Sequence, residues 1–362
     1  TFYMVLLIIL MSGSVIFSKM YYIESIIVFF VSSVLFFFPK IINKKNFLLY
    51  TLFCTILFIN MICYQKELTG YVGLVLKLTA VLFMANRINI ELAAHYFLKI
   101  IIFLAITSIP FYLLGLLFPE FIRSFIPLTE VWGGQYRITP LYAYNFWNFN
   151  RNNGVYWEPG AFQIFLNIGL ILNFKYKIQN QRIYLIILTI AIFTTFSTAG
   201  YITAALIYLI YTFKHILKKP RILAGGVLFA LLFLFIENKV GVISNKFSDD
   251  NYSYTRRTMD TASNIDLMFK KPFLGWGFQN NEVLLTYYNL KDSSNALFQF
   301  GYQFGFVLFL ILIVHYFFQM KRVSTSLFET VGLFIILYLM LSNQNLIFHP
   351  VFLCVFFFFS NK

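Results

Sequence analysis

Arg151-Asn152-Asn153-Gly154-Val155-Tyr156-Trp157-Glu158-Pro159-Gly160-Ala161-Phe162 is the stretch where the chain changes character. A polar segment, 119–157, ends here and an apolar run, 159–174, begins. Glu158 precedes a proline, so it is held extended, and Pro159 suits the first turn of a helix. The helix dipole favours an acidic residue at that point. It does not account for an arginine, a glycine and a glutamate gathered at the mouth of an apolar run. Ionisable groups at membrane depth mark function by default.

The rest of the chain supplies the membrane. Of 362 residues, 60% are hydrophobic and 12% charged, with a mean hydropathy of +0.76. A soluble domain carries about 25% charged residues, so the composition implies an all-α polytopic membrane protein, a single integral membrane domain over 1–362. Phe (47) and Tyr (24) supply lipid-facing surface and interfacial belts. The net charge of +14 reads as loop charge that holds the topology, and no nucleic-acid partner is expected. Cys54, Cys63 and Cys354 fall in apolar runs, which indicates neither disulfides nor a metal site. The first apolar run lacks a basic leader and an Ala-x-Ala site, and is expected to be a retained span.

The apolar pattern predicts about 12 transmembrane helices. Residues 2–38 would reach roughly 55 Å as one helix against a bilayer of about 30 Å, so two spans are expected, broken at Ser18-Lys19-Met20. Further spans are expected at 46–64, 70–85, 92–118, 159–174, 183–197, 200–213, 222–236, 302–318, 327–341 and 345–360. Basic clusters belong in the cytoplasm. With this count Lys40, Lys44 and Lys45, Lys175 to Arg182, Lys214 to Arg221, and Lys321 with Arg322 all share one side. Both termini then lie in the cytoplasm. The two long segments, 119–157 and 237–300, face outward.

Those outer loops hold residues that topology does not explain: Arg123, Arg137 and Arg151 in the first, Arg256 and Arg257 in the second. A guanidinium presents a planar fork matched to phosphate oxygens, so the set suits a lipid-linked diphosphate. The bland alternative is local pairing, with Asp260 at i,i+4 from Arg256 or i,i+3 from Arg257. Residues 252–269 are expected to form an amphipathic helix over the outer mouth, with Met259, Ala262, Ile265 and Phe269 on its apolar stripe. Trp276, in the Gly275-Trp276-Gly277 turn, is expected to rest at the interface. Glu158 is a candidate general base, or a group that orients an arginine or a sugar. His349, beside Pro350, is a candidate base or diphosphate ligand, with local helix capping as its alternative. Lys77 lies mid-span and needs a partner. No ligand-spaced cluster indicates a metal, Asp249-Asp250 being adjacent rather than spaced. No glycine loop indicates a nucleotide, so no cofactor is expected.

Four motifs in order resemble the bacterial O-antigen polymerase (Wzy) and O-antigen ligase superfamily. They are Arg151-x-x-Gly154-x-x-x-Glu158-Pro159, the turn Phe196-Ser197-Thr198-Ala199-Gly200, Arg256 or Arg257 followed by Pro272-Phe273-Leu274-Gly275-Trp276-Gly277, and Ser294-Asn295-Ala296-Leu297 with Gly301 and Gly305. The resemblance covers roughly 110–310. It implies a membrane glycosyltransferase of GT-C-like architecture acting on undecaprenyl-diphosphate-linked oligosaccharide at the outer face. It implies arginines on the diphosphate (Arg151, Arg256, Arg257 and Arg137), no metal, and a chain-length regulator and a flippase of the same pathway as partners, besides membrane lipids. Trp157, Trp276 and Asn295, within the matching motifs, are expected on the glycan side. Where ligases carry a histidine this chain has Ser294, which turns the expectation toward a polymerase and toward Glu158 or His349 as base. A ligase that acts on lipid A-core is the alternative. A flippase is the third reading, and Lys77 would line its path.

Overall fold

The computed structural model describes the backbone of residues 1–39, 42–64, 68–131, 133–146, 150–176, 180–217 and 252–357; within these, the side chains of 18–25, 213–217 and 252–254 are left aside. The expected span 222–236, the Lys218 to Arg221 cluster, the turn at 65–67 and Asp249-Asp250 lie outside the described residues.

The chain is mostly helical. Helices α1 (Phe2–Met11), α2 (Val15–Phe37), α3 (Lys44–Tyr64), α4 (Leu68–Arg87) and α5 (Ile90–Leu117) lead to a short α6 (Pro119–Phe125). Strands β1 (Leu128–Val131), β2 (Gly134–Ile138) and β3 (Ala143–Asn145) follow. Then come α7 (Pro159–Tyr176), α8 (Gln181–Thr194), α9 (Thr198–Leu217), α10 (Tyr252–Lys270), α11 (Glu282–Tyr288), α12 (Ala296–Phe304), α13 (Phe306–Val323), α14 (Leu327–Asn343) and α15 (Pro350–Phe357). Among the described residues α3, α4, α5 and α13 are long and apolar enough to cross a membrane. α1, α8, α14 and parts of α2 and α9 are shorter apolar helices.

Helix α7 is the axis of the bundle. It packs on α5, α8 and α9, and buries most of its length, including the polar Gln163, Asn167 and Asn173. Their amide N–H groups find acceptors inside the protein, as membrane depth favours: Asn167 Nδ2 donates to Gln163 Oε1 at 2.9 Å, and Asn173 and Gln181 exchange bonds with each other's carbonyls at 3.0 Å. The Asn167 and Asn173 side-chain oxygens have no hydrogen-bond partner among the described residues.

Several expectations change here. The break in 2–38 falls at Ser12–Ser14, and α2 runs through Ser18-Lys19-Met20. A lysine is a good helix former. What stops α1 is Gly13 in the left-handed region (φ 99°), and Ser14 then caps α2 by accepting the Phe17 N–H. The segment 119–157 is not loop alone. It carries α6 and a three-stranded antiparallel sheet in the order β1-β2-β3, with Leu128 opposite Arg137 and Tyr136 opposite Asn145, so the all-α description needs this exception. The expected span 302–318 is two helices broken at Gly305 (φ 91°). The described helix within 345–360 is only Pro350–Phe357.

Helix α10 is the expected amphipathic helix, and Met259 and Phe269 of its named stripe are 54% and 57% exposed. The face that packs inward carries Asp260, 1% exposed, and Asn264, fully buried, together with the apolar Leu267 and Met268.

Candidate functional site

The site grows from the segment before α7. Val155 accepts a bond from Val15 N at 2.9 Å, and Gly154 accepts one from Ala143 N at 2.8 Å. The α1–α2 break and strand β3 thus grip the segment from two sides. Asn152, fully buried, donates from Nδ2 to Ser108 Oγ and Thr194 Oγ1, both at 2.9 Å, and its backbone N–H donates to the Thr194 carbonyl. Gly154 is left-handed (φ 56°), and a Cβ there would lie 2.9 Å from the Phe162 ring. The segment can turn into α7 only with glycine at this point. The Ala161 and Phe162 N–H groups then donate to the Glu158 carbonyl at 3.1 and 3.2 Å. Glu158 therefore stands at the N-terminus of α7.

Arg151, Glu158 and Arg257 converge here. Arg151 is half-buried, and its Nε donates to the Thr195 carbonyl at 3.0 Å. That bond fixes the stem and leaves the terminal fork without a protein acceptor among the described residues. Burial pulls the Arg151 pKa below its ordinary value; the Glu158 charge opposes this, and the Arg257 charge adds to it. Arg257 arrives from α10, exposed, with Nη1 donating to Asn343 Oδ1 at 2.6 Å. The Glu158 carboxylate makes no hydrogen bond among the described residues. It lies over Gly160 beside Gln344: a Cβ on Gly160 would be 3.3 Å from Glu158 Oε1 and 2.5 Å from Gln344 Nε2. On the sheet side stands Tyr136. Burial, and then the charge of Glu158, push its hydroxyl up to about 12, so it stays a neutral phenol. The cluster is two guanidinium groups beside an uncommitted carboxylate at the positive end of a helix, a place fit for an anion.

The other candidates are placed differently. Arg256 binds Asp260 Oδ1 through Nε at 3.1 Å and Asp292 through Nη2 at 3.0 Å, so the local pairing weighed for it is realised. Arg137 donates from Nη1 to the Ile126 carbonyl and ties the sheet to the end of α6. Arg123 pairs with Glu120 at 2.5 Å. His349 stacks on Trp157 with ring centroids 6.2 Å apart, and its Nδ1 lies 3.4 Å from the Met11 carbonyl. Its carbonyl accepts the Phe352 and Leu353 N–H groups at 3.0 Å, the start of α15. Trp157 thus links His349 to Glu158, its own chain neighbour. Trp276 donates from Nε1 to the Leu267 carbonyl at 2.8 Å, under the Lys271 ammonium. Asn295 caps α12 by accepting the Phe298 N–H at 3.2 Å. Lys77, half-buried in α4, takes no hydrogen bond or ion pair among the described residues.

Asn152, Tyr136, Asn343, Gln344 and Asp260 were not singled out as site residues. Only Asn343-Gln344, an amide pair ending an apolar run, carried a readable signal. No three His, Cys, Asp or Glu side chains converge among the described residues to hold a metal ion. An apolar cavity of about 220 Å³, lined by Phe97, Leu172 and Phe352 with Lys175 and Tyr176 at one end, lies toward the far end of α7. It contains none of the candidate residues.

The matching region lies next to this cluster. Residues 183–313 match the protein-family model described as O-antigen ligase. That match places this region of the chain in the Wzy and O-antigen ligase superfamily. No curated protein and no solved structure matches it. The matched region runs from α8 into α13 and holds Arg256, Arg257, Asp260 and Ser294. Arg151 and Glu158 precede it. The matched family is one of membrane enzymes that transfer glycans, and the cluster brings Arg151 and Glu158 together with Arg257 of the matched region. Arg257 is the point of joining.

Proposed function

We propose that the protein is a polysaccharide polymerase. It transfers a growing glycan from polyprenyl diphosphate, undecaprenyl diphosphate by the family resemblance, to a hydroxyl of a new lipid-linked repeat unit. The observation that carries this reading is the pair of guanidinium groups, Arg151 and Arg257, flanking the uncommitted carboxylate of Glu158. In the transfer the acceptor hydroxyl oxygen attacks the anomeric carbon. The bond from that carbon to the diphosphate oxygen breaks, and the bonding pair leaves with the diphosphate. Arg151 and Arg257 meet the charge that develops there, where one well-placed donor is worth about 10² to 10³ in turnover. The acceptor proton passes to the Glu158 carboxylate. Tyr136, a neutral donor beside it, helps hold the carboxylate or a sugar hydroxyl.

The charge pattern supports an outward site in a span arrangement of about twelve helices, with both termini in the cytoplasm. At the position where ligases carry a histidine, Ser294 is bonded to Asp260 through Oγ at 2.7 Å, which supports a polymerase over a ligase. The test is to incubate purified protein with a polyprenyl-diphosphate-linked repeat unit, with and without lipid A-core. A ladder of lipid-linked products without core is expected. Products formed only on core would make it a ligase, and no glycosidic bond in either arm would overturn the reading.

A further inference from the structure

Two faces of α10 compete for burial. One is apolar, with Met259 and Phe269 more than half exposed. The other carries Asp260, Ser263 and Asn264 with the buried Leu267 and Met268, and this is the face that packs toward α12 and the residues before it. Apolar side chains thus lie on both faces, so apolar burial by itself does not single out the rotation, and the polar bonds of the packed face bear on it.

Those bonds centre on Asp260. Its Oδ2 accepts the Ser294 N–H at 2.9 Å and the Ser294 hydroxyl at 2.7 Å, and its Oδ1 faces Arg256 Nε at 3.1 Å. Arg256 closes the ring by donating from Nη2 to Asp292, carbonyl and carboxylate, at 3.0 Å. Behind it Asn264 Nδ2 donates to Ser293 Oγ at 2.7 Å, and Asn295 Nδ2 to Thr261 Oγ1 at 3.0 Å. The whole of 292–295 is thereby stitched to one face of α10. On a helix of 3.6 residues per turn, Arg256 and Arg257 stand about 40° and 60° to opposite sides of Asp260. Holding Arg256 on one side leaves Arg257 on the other, toward Asn343, Arg151 and Glu158.

We infer that Asp260 is a positioning residue for Arg257. By binding Arg256 and Ser294 it holds the rotation of α10 that delivers Arg257 to the anion site. This rests on the proposed role of Arg257 and adds to it the residue that decides which of two adjacent arginines reaches the substrate.

The test is a double-mutant cycle in the ladder assay with a lipid-linked repeat unit. Arg257→Ala is expected to lower turnover by about 10² to 10³, Asp260→Ala by a similar factor, and the double variant no further than Arg257→Ala alone. Multiplying losses, or wild-type turnover in Asp260→Ala, would overturn the inference. A second readout does not need activity. With Cys54, Cys63 and Cys354 replaced, Asn264→Cys with Ser293→Cys is expected to form a disulfide across the stitched face. Adding Asp260→Ala, or Asp260→Asn where the alanine variant does not fold, is expected to slow it at least tenfold, and an unchanged rate would overturn the inference. Wild-type turnover in Arg257→Ala would instead sink the proposed function, and the disulfide rates would still report the rotation.

Discussion

Arg151 and Arg256 carry the same group, each beside a carboxylate on its own stretch of chain, yet their surroundings give them opposite work. Arg151 spends one nitrogen on the Thr195 carbonyl and keeps its fork uncommitted. Arg256 spends its donors on Asp260 and Asp292 and closes a ring inside the protein. The carboxylates differ in the same sense: Glu158 is uncommitted, while Asp260 is 1% exposed, accepts two hydrogen bonds from Ser294 and is ion-paired with Arg256. A charge saturated by protein partners holds structure, and an unsaturated one at the mouth of a membrane bundle is available to a ligand. The comparison teaches that partner count, more than residue type, separates the two regions.

Substitutions sharpen or break that contrast. The largest effect is expected from Glu158→Gln, which keeps the shape but removes the base. Turnover in the ladder assay should fall about 10² to 10⁴-fold at unchanged protein level, and a fall of less than tenfold would remove Glu158 from the chemistry. Arg151→Lys retains charge but loses the fork, and is expected to cost about 10² to 10³ in turnover if the second donor is essential. Equal activity would show that charge alone suffices. His349→Gln keeps a side-chain amide near the Met11 carbonyl. It is expected to cost less than about tenfold, the low end of what proton transfer contributes; a larger loss would move the base from Glu158 to His349.

The remaining two act on stability. Arg256→Ala strips Asp260 of its cation and is expected to lower stability by about 1–3 kcal/mol, read as a drop in the detergent melting temperature. Gly154→Ala places a side chain at φ 56° against the Phe162 ring. It is expected to cost about 1–3 kcal/mol, and activity per folded molecule reports whether the strain reaches Glu158.

Much of this was legible from residue order. Pro159 after Glu158 reads directly as a helix start, because a proline restricts its predecessor and fits the first turn. The spans at 46–64, 70–85 and 92–118 match α3, α4 and α5 within a few residues, since a long apolar run in lipid has no alternative to helix. The break near Ser12 is not legible from the lysine in the apolar run, because lysine continues a helix, whereas the left-handed Gly13 followed by the capping Ser14 ends one. The small sheet was missed because its strands, of 3–5 residues, are too short for alternation to show. The packed face of α10 is not legible in the sequence because it mixes Asp260, Ser263 and Asn264 with Leu267 and Met268, and beside a membrane the stripe from Met259 to Phe269 also has a favourable place outside.

What the sequence determined by itself is the material: helices set by hydrocarbon, a superfamily resemblance carried by four ordered motifs, and a seam from Arg151 to Glu158 where charge meets the apolar run. What only the tertiary structure decided is which charges remain available. Arg256 and Arg257 are neighbours in the chain and equivalent in any pattern. One turns to Asp260 and Asp292 and the other to Asn343. The rotation of a helix is fixed by partners distant in sequence, Ser294 and Asp292 among them, and no local pattern contains them.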